Sequence, residues 1–279
     1  MSDLSVIRQY YTLFVGYFLL IAGFLGNLLN IYLLSSIRLY RTKPSTFYFL
    51  VSSIFNQICL VVGLISRILE FGHDLHFTDS SLVWCKSREY FITTFSIIPI
   101  YCQCFATIDQ YFSTSQTVRL RQRSSIKQAY WISFSLIVVS LLHGIPFLFY
   151  YEISPINNKC VSTSSILSSY FLVFVLFIIL FLPTVITSLF GCLTYRNIRK
   201  STGLLRQQAD RQLTKMICMQ IFLIVFTAIP YGLFQCYLLI TGHMNKDQHH
   251  RLVDDFVLTV VSLNTYLHSS VRKRKLNFD

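Results

Sequence analysis

Seven long apolar stretches, separated by short polar segments, run through the chain near 9–36, 46–70, 82–112, 128–151, 168–195, 213–241 and 252–270. A bilayer core of about 30 Å needs about 20 apolar residues per helix, because backbone amides in hydrocarbon must find their partners within the helix itself. The pattern therefore predicts an all-α membrane protein, a seven-transmembrane-helix bundle. Short connections favour antiparallel neighbours in one compact bundle. Residues 1–279 thus read as a single domain, with 271–279 as a short basic tail.

Charge gives this bundle a direction. Of the 24 Lys and Arg residues, 17 fall in the first, third and fifth connections and the tail, among them Arg38, Arg41, Arg119, Arg121, Arg123, Arg196, Arg199 and Arg272 to Lys275. Asp109, Asp210 and Asp279 are the acids on that side. The positive-inside rule makes it cytoplasmic, with the N-terminus outside and the C-terminus inside. The remaining side, with seven bases and nine acids, leans weakly towards cationic ligands. A net charge of +12 could suggest nucleic acid, but that would require the bases on one water-facing surface. Here they flank membrane spans, where the tail bases meet anionic lipid heads. With 53% hydrophobic and 13% charged residues, no room remains for a second globular domain.

Six of the eight cysteines (Cys59, Cys102, Cys104, Cys192, Cys218 and Cys236) lie within apolar spans and read as small buried hydrophobes. Cys85 and Cys160 both fall on the outer side, where an oxidising exterior favours a bridge over two free thiols. Pro183 and Pro230 interrupt spans five and six, removing a backbone donor each, and serve either as hinges or as plain packing geometry. His143, Gly144 and Pro146 are expected to end span four. His73 and His76 are spaced for a metal on a helix, but no third ligand accompanies them, so no metal and no cofactor is expected.

From Cys85 to Asp109 is 24 residues, about 36 Å of helix and about one membrane thickness. Asp109-Gln110-Tyr111 then stands at the cytoplasmic end. Together with Gly26-Asn27, Trp131, Cys160, Pro183 and Pro230-Tyr231, this order resembles the rhodopsin-like (class A) G-protein-coupled receptors over essentially the whole chain. The resemblance implies coupling to a heterotrimeric G protein through Asp109, Gln110, Tyr111 and Asp210. It also implies a conformational switch built on Asn27, Asn56, Pro183, Pro230, Asn264 and His268. Departures from the family pattern are plain. Gln110 replaces the usual arginine and lacks its charge and its five-donor fork. Asn56 replaces the sodium-binding aspartate, Ala228 the toggle tryptophan, and Asn264-Thr265-Tyr266-Leu267-His268 the Asn-Pro-x-x-Tyr motif.

The same resemblance places ligand contacts at Ile92, Ser96, Tyr231, Gln235, Asp254 and Asp255. Ile92 stands where amine receptors carry an aspartate, which argues against a biogenic amine. Span seven has no lysine, which excludes a retinal Schiff base there. A mouth with Glu70, Asp74, Asp79, Asp254 and Asp255 suits a short basic or amidated peptide. An enzyme would need ionisable groups converging within the spans, whereas here they are few and lie near the ends. A transporter would tend to show internal repeats, and none is present. A receptor that binds ligand but couples weakly stays open because of Gln110. No Asn-x-Ser/Thr acceptor occurs, so N-glycosylation is not expected. The tail lacks Ser, Thr and Cys, so its phosphorylation or palmitoylation is not expected either.

Overall fold

Long apolar runs must close their own backbone hydrogen bonds, and in this chain they do so as helices. The computed structural model describes residues 2–36, 43–75, 80–155, 160–200, 219, 222, 226–227, 229–238, 240–241 and 247–266. Helix α1 (Ser2–Ser36) is followed by α2 (Pro44–Cys59), whose helix continues through two π turns, Leu60–Leu64 and Ile68–Gly72, on either side of Ile65–Arg67. Then come α3 (Leu82–Thr114), the short α4 (Val118–Gln122) and α5 (Ile126–Tyr150). Strands β1 (Tyr151–Ile153) and β2 (Cys160–Ser162) form an antiparallel hairpin. Helix α6 (Ser165–Val173) passes through a π stretch, Phe174–Phe181, into α7 (Leu182–Lys200). Residues 229–238 are helical, and α8 (Gln248–Thr265) is the last described helix.

Five of these helical runs are long and apolar enough to cross a membrane: Leu4–Ser36, Pro44–Gly72, Leu82–Thr114, Ile126–Tyr150 and Ser169–Arg199. They coincide with the first five predicted spans, with α1 starting well before residue 9 and span four ending one residue earlier. The sixth span is described in part. Helix α8 opens the seventh at Gln248, before the predicted residue 252.

Helix α3 is the central post, packing against α2, α5, α7 and β1. Tyr48, Phe49 and Val51 of α2 meet Ile98, Cys102 and Ala106 of α3 and Ala129 of α5 in one core. A second core joins Leu19 of α1 to Leu60, Leu64, Ile68 and Leu263. Between the helices the interior carries many hydroxyls, which bond back to their own helix: Ser53 to the Phe49 carbonyl at 2.9 Å, Thr107 to that of Gln103 at 2.8 Å. Such self-satisfaction lets small polar residues line helix contacts in lipid. The outward faces are the greasy ones, with Phe14, Phe18, Trp131, Phe134, Phe149 and Phe177 all exposed.

Two expectations need correction, and one feature adds to them. His143, Gly144 and Pro146 do not end span four, for α5 runs on to Tyr150. A membrane environment tolerates glycine and proline inside helices that a neighbour supports. Here Gly144 lets α5 approach α3 so closely that an added Cβ would collide with Thr94 and come within 2.8 Å of the Tyr90 ring. Cys192 is exposed rather than buried, and Cys59 and Cys236 are only half-buried, whereas Cys102 and Cys104 are buried as expected. An apolar residue in a membrane helix fits the lipid face as well as the core. Finally, the loop after α5 folds as a β-hairpin, a short polar feature that hydropathy does not reveal.

Candidate functional site

The β-hairpin sits where chain geometry forces it. Cys85, in the first turn of α3, is bonded to Cys160 at the start of β2, with 5.7 Å between their Cα atoms. Pairing of Tyr151 with Ser162, and of Ile153 with Cys160, then holds β1 against the same end of the bundle. Beneath it lies a cavity of about 180 Å³ lined by Tyr151, Ser162, Leu167, Phe171, Val175 and Gln235. Behind its α6 side, outside the lining itself, His143 of α5 stacks on Phe174 with ring centres 4.5 Å apart and shares a 2.6 Å hydrogen bond with the Tyr170 hydroxyl. Tyr101 donates to the Ile178 carbonyl at 2.9 Å, engaging the π stretch where the regular ladder shifts.

Next to the cavity stands a polar cluster contributed by five segments, half-buried except for the buried Arg88. Gln235 is hydrogen-bonded to Tyr231, and Tyr231 lies beside Arg67 and Glu89. Arg67 in turn is hydrogen-bonded to Tyr266. Arg88 donates to Glu89 at 2.5 Å. Burial, reinforced by the nearby Glu89 carboxylate, pushes the Tyr151 phenol well above its ordinary value. It is therefore a neutral hydroxyl at the cavity wall at any physiological pH.

At the opposite, basic end, Asp109 faces inward from α3. Its Oδ2 accepts from the Ser45 backbone amide at 2.9 Å and its Oδ1 from the Ser124 hydroxyl at 2.6 Å. The first bond satisfies one of the free amides at the start of α2, where negative charge also meets the positive end of the helix. Gln110 is 2% exposed, and its side-chain oxygen has no hydrogen-bond partner among the described residues. Tyr111 meets Phe190 of α7 edge-on at 5.5 Å.

The residues singled out from sequence are thus spread over two ends. Tyr231 and Gln235 join the cavity cluster. Ile92 is half-buried on α3, and Ser96 bonds back to the Thr93 carbonyl at 3.1 Å. Asp254 is half-buried, whereas Asp255 is exposed and pairs with Arg8 of α1 at 3.6 Å. That arginine also lies over the Phe71 ring at 5.3 Å. Asn27 and Asn56 are buried, and Asn264 is half-buried. The Pro183 carbonyl accepts from Thr187 at 2.6 Å and from the Cys104 thiol at 3.9 Å. Pro230 is exposed. Asp210 and His268, like His76, Asp79, Cys218, Ala228 and the tail, lie outside the described residues.

Arg67, Arg88, Glu89, Tyr151 and Tyr266 were not picked out from sequence as site residues. For Arg67 a signal existed, since an ionisable side chain within a membrane span carries a desolvation cost that function commonly explains. The others depend on contacts between segments far apart in the chain.

The family model described as 7 transmembrane receptor (rhodopsin family) matches residues 26–271. No curated protein matches the chain.

Proposed function

This chain belongs to the rhodopsin family of seven-transmembrane receptors, and we propose that it takes up a short peptide from outside the plasma membrane and signals to a heterotrimeric G protein. It is a multi-pass receptor, not an enzyme. In this reading the N-terminus and the disulfide-bonded hairpin face outwards and the basic connections face the cytoplasm. The observation that carries it is the cavity beneath the hairpin, with Tyr231 and Gln235 of the sixth span brought to a polar cluster at one end of the bundle. Ile92, Ser96, Asp254 and Asp255 complete the ligand contacts, with the acids towards the mouth.

Ligand enters this scheme only through its different affinity for two conformations. The inward-facing change is a swing of span six about Pro230, with Asn27, Asn56, Pro183, Asn264 and His268 as the interior switch. It opens a pocket beside Asp109, Gln110, Tyr111 and Asp210 for the G protein. Anionic lipids hold the basic segments.

A second reading has its own observation. Gln110 is buried and neutral, and its oxygen lacks a partner among the described residues, so it offers the G protein neither a charge nor a guanidinium fork. A receptor of that kind binds ligand and couples weakly. G-protein dissociation in cells with verified surface expression, across a peptide library and alongside Gln110→Arg, separates the two. The first reading expects responses from the unaltered chain. Responses from Gln110→Arg alone establish the second, and silence from both overturns peptide-driven coupling.

A further inference from the structure

The helical turn Ile65–Arg67 carries a cation into the polar cluster of the bundle. Arg67 makes a hydrogen bond with Tyr266, and glycine makes that bond sterically possible: a Cβ on Gly63, one turn below, would collide with the Tyr266 hydroxyl. Its Nε is buried without a hydrogen-bond partner among the described residues. Tyr231 lies close by but brings only a neutral hydroxyl.

Among the described residues no acid pairs with this charge. Glu89 is the carboxylate near Arg67, and it is taken up by Arg88 at 2.5 Å. Among the described residues no carboxylate comes within ion-pair distance of Arg67. Among the described residues two guanidinium groups and one carboxylate therefore share the cluster, leaving one positive charge without an acidic partner. A half-buried cation with a buried, unpaired Nε is costly in that state, and an anion bound to it recovers the loss. Guanidinium geometry favours a planar, bidentate anion, for which a carboxylate is the matching shape. The nearby Glu89 disfavours a dianion.

We propose that Arg67 is the anchor for a monoanionic carboxylate carried by the ligand. This rests on reading the chain as a ligand-binding receptor and specifies what its deep site selects. Tyr231 connects the two features, being bonded to Gln235 of the cavity wall and adjacent to Arg67. A cavity of about 180 Å³ holds roughly six waters, at about 30 Å³ each, and so admits one arm of a ligand rather than a whole peptide. The free C-terminus of a peptide has this chemistry, and so does a small organic acid. A C-terminal amide lacks it, so the deep end of the pocket rejects the amidated peptides that the acidic mouth alone would accept.

The test uses the full-length receptor purified in lipid nanodiscs, with its unfolding temperature followed against ligand concentration at constant ionic strength. The probes are sodium propionate against propionamide, and a tripeptide set made both as free acids and as C-terminal amides. Free acids are expected to stabilise the receptor, and the amides to act about 10- to 100-fold more weakly, the range of one charge-assisted hydrogen-bonded pair. Arg67→Gln is expected to erase the difference, and Arg67→Lys, which keeps the charge and loses the fork, to retain part of it. Tripeptide acids saturating about tenfold or more below propionate identify a peptide C-terminus; equal or weaker saturation identifies a small acid. The proposal is overturned if no acid stabilises the receptor, if acids and amides act alike, or if Arg67→Gln still discriminates. Because no G protein enters the assay, its failure is separate from a failure to signal.

Discussion

At the basic end of α3 a single carboxylate joins three segments, since Asp109 accepts from Ser45 at the start of α2 and from Ser124 just before α5. Both bonds end on one buried carboxylate, and that from Ser124 is short, so they count among the stronger hydrogen bonds of the protein. Asp109→Asn leaves one oxygen to accept from the Ser45 amide and turns the other position into a donor to the Ser124 hydroxyl, so both bonds lose their charge assistance. The expected cost is about 1–3 kcal/mol, measured as a lower unfolding temperature of the purified receptor. An unchanged temperature would show that Asp109 does not hold these segments together. The position of Asp109 was legible in the sequence, because a helical rise carries Cys85 and Asp109 to opposite ends of one span. Its partners were not, for Ser45 and Ser124 are ordinary loop-proximal serines. Arg67 was passed over for a different reason: its place near the end of a span suggested a side chain able to reach water, whereas its Nε is buried.

Individual helices were legible from hydropathy, since length and apolar content suffice to name a membrane span. The faces of those helices were not. In water a buried face is apolar and an exposed one polar, but in lipid both are apolar, so Trp131, 71% exposed, and Cys192 could not be assigned to the outside. Glycine and proline misled in the same way, because Gly144 marks a close helix crossing rather than a helix end. Tight crossings of this type let backbones approach where small residues stand. Gly144→Ala forces the new methyl against Thr94 and the Tyr90 ring, so α5 must shift from α3. We expect a loss of about 1–3 kcal/mol, seen as reduced surface expression and a lower unfolding temperature. Reducing the neighbour with Thr94→Ala should restore part of it, and no rescue would mean that the cost arises elsewhere.

Across the whole molecule, the disulfide and the arginines of 119–123 and 196–199 lie at opposite ends of α3, and this separation predicts an orientation. Arg119, Arg121 and Arg123 are exposed beyond the Asp109 end of α3, as are Arg196 and Arg199 at the end of α7. The hairpin held by Cys85 and Cys160 caps the other end. Two independent influences then agree. Positive charge near span ends is retained in the cytoplasm during insertion, and a disulfide persists on the oxidising side of the membrane. A receptor inserted the other way would expose its bridge to a reducing compartment and move most of its cations across the bilayer. An epitope at the N-terminus should therefore stain intact cells, and one at the C-terminus only permeabilised cells. Quantitative labelling of both on the same cells is the measurement. The reverse pattern would place the cavity on the cytoplasmic side and remove the ground for an extracellular ligand.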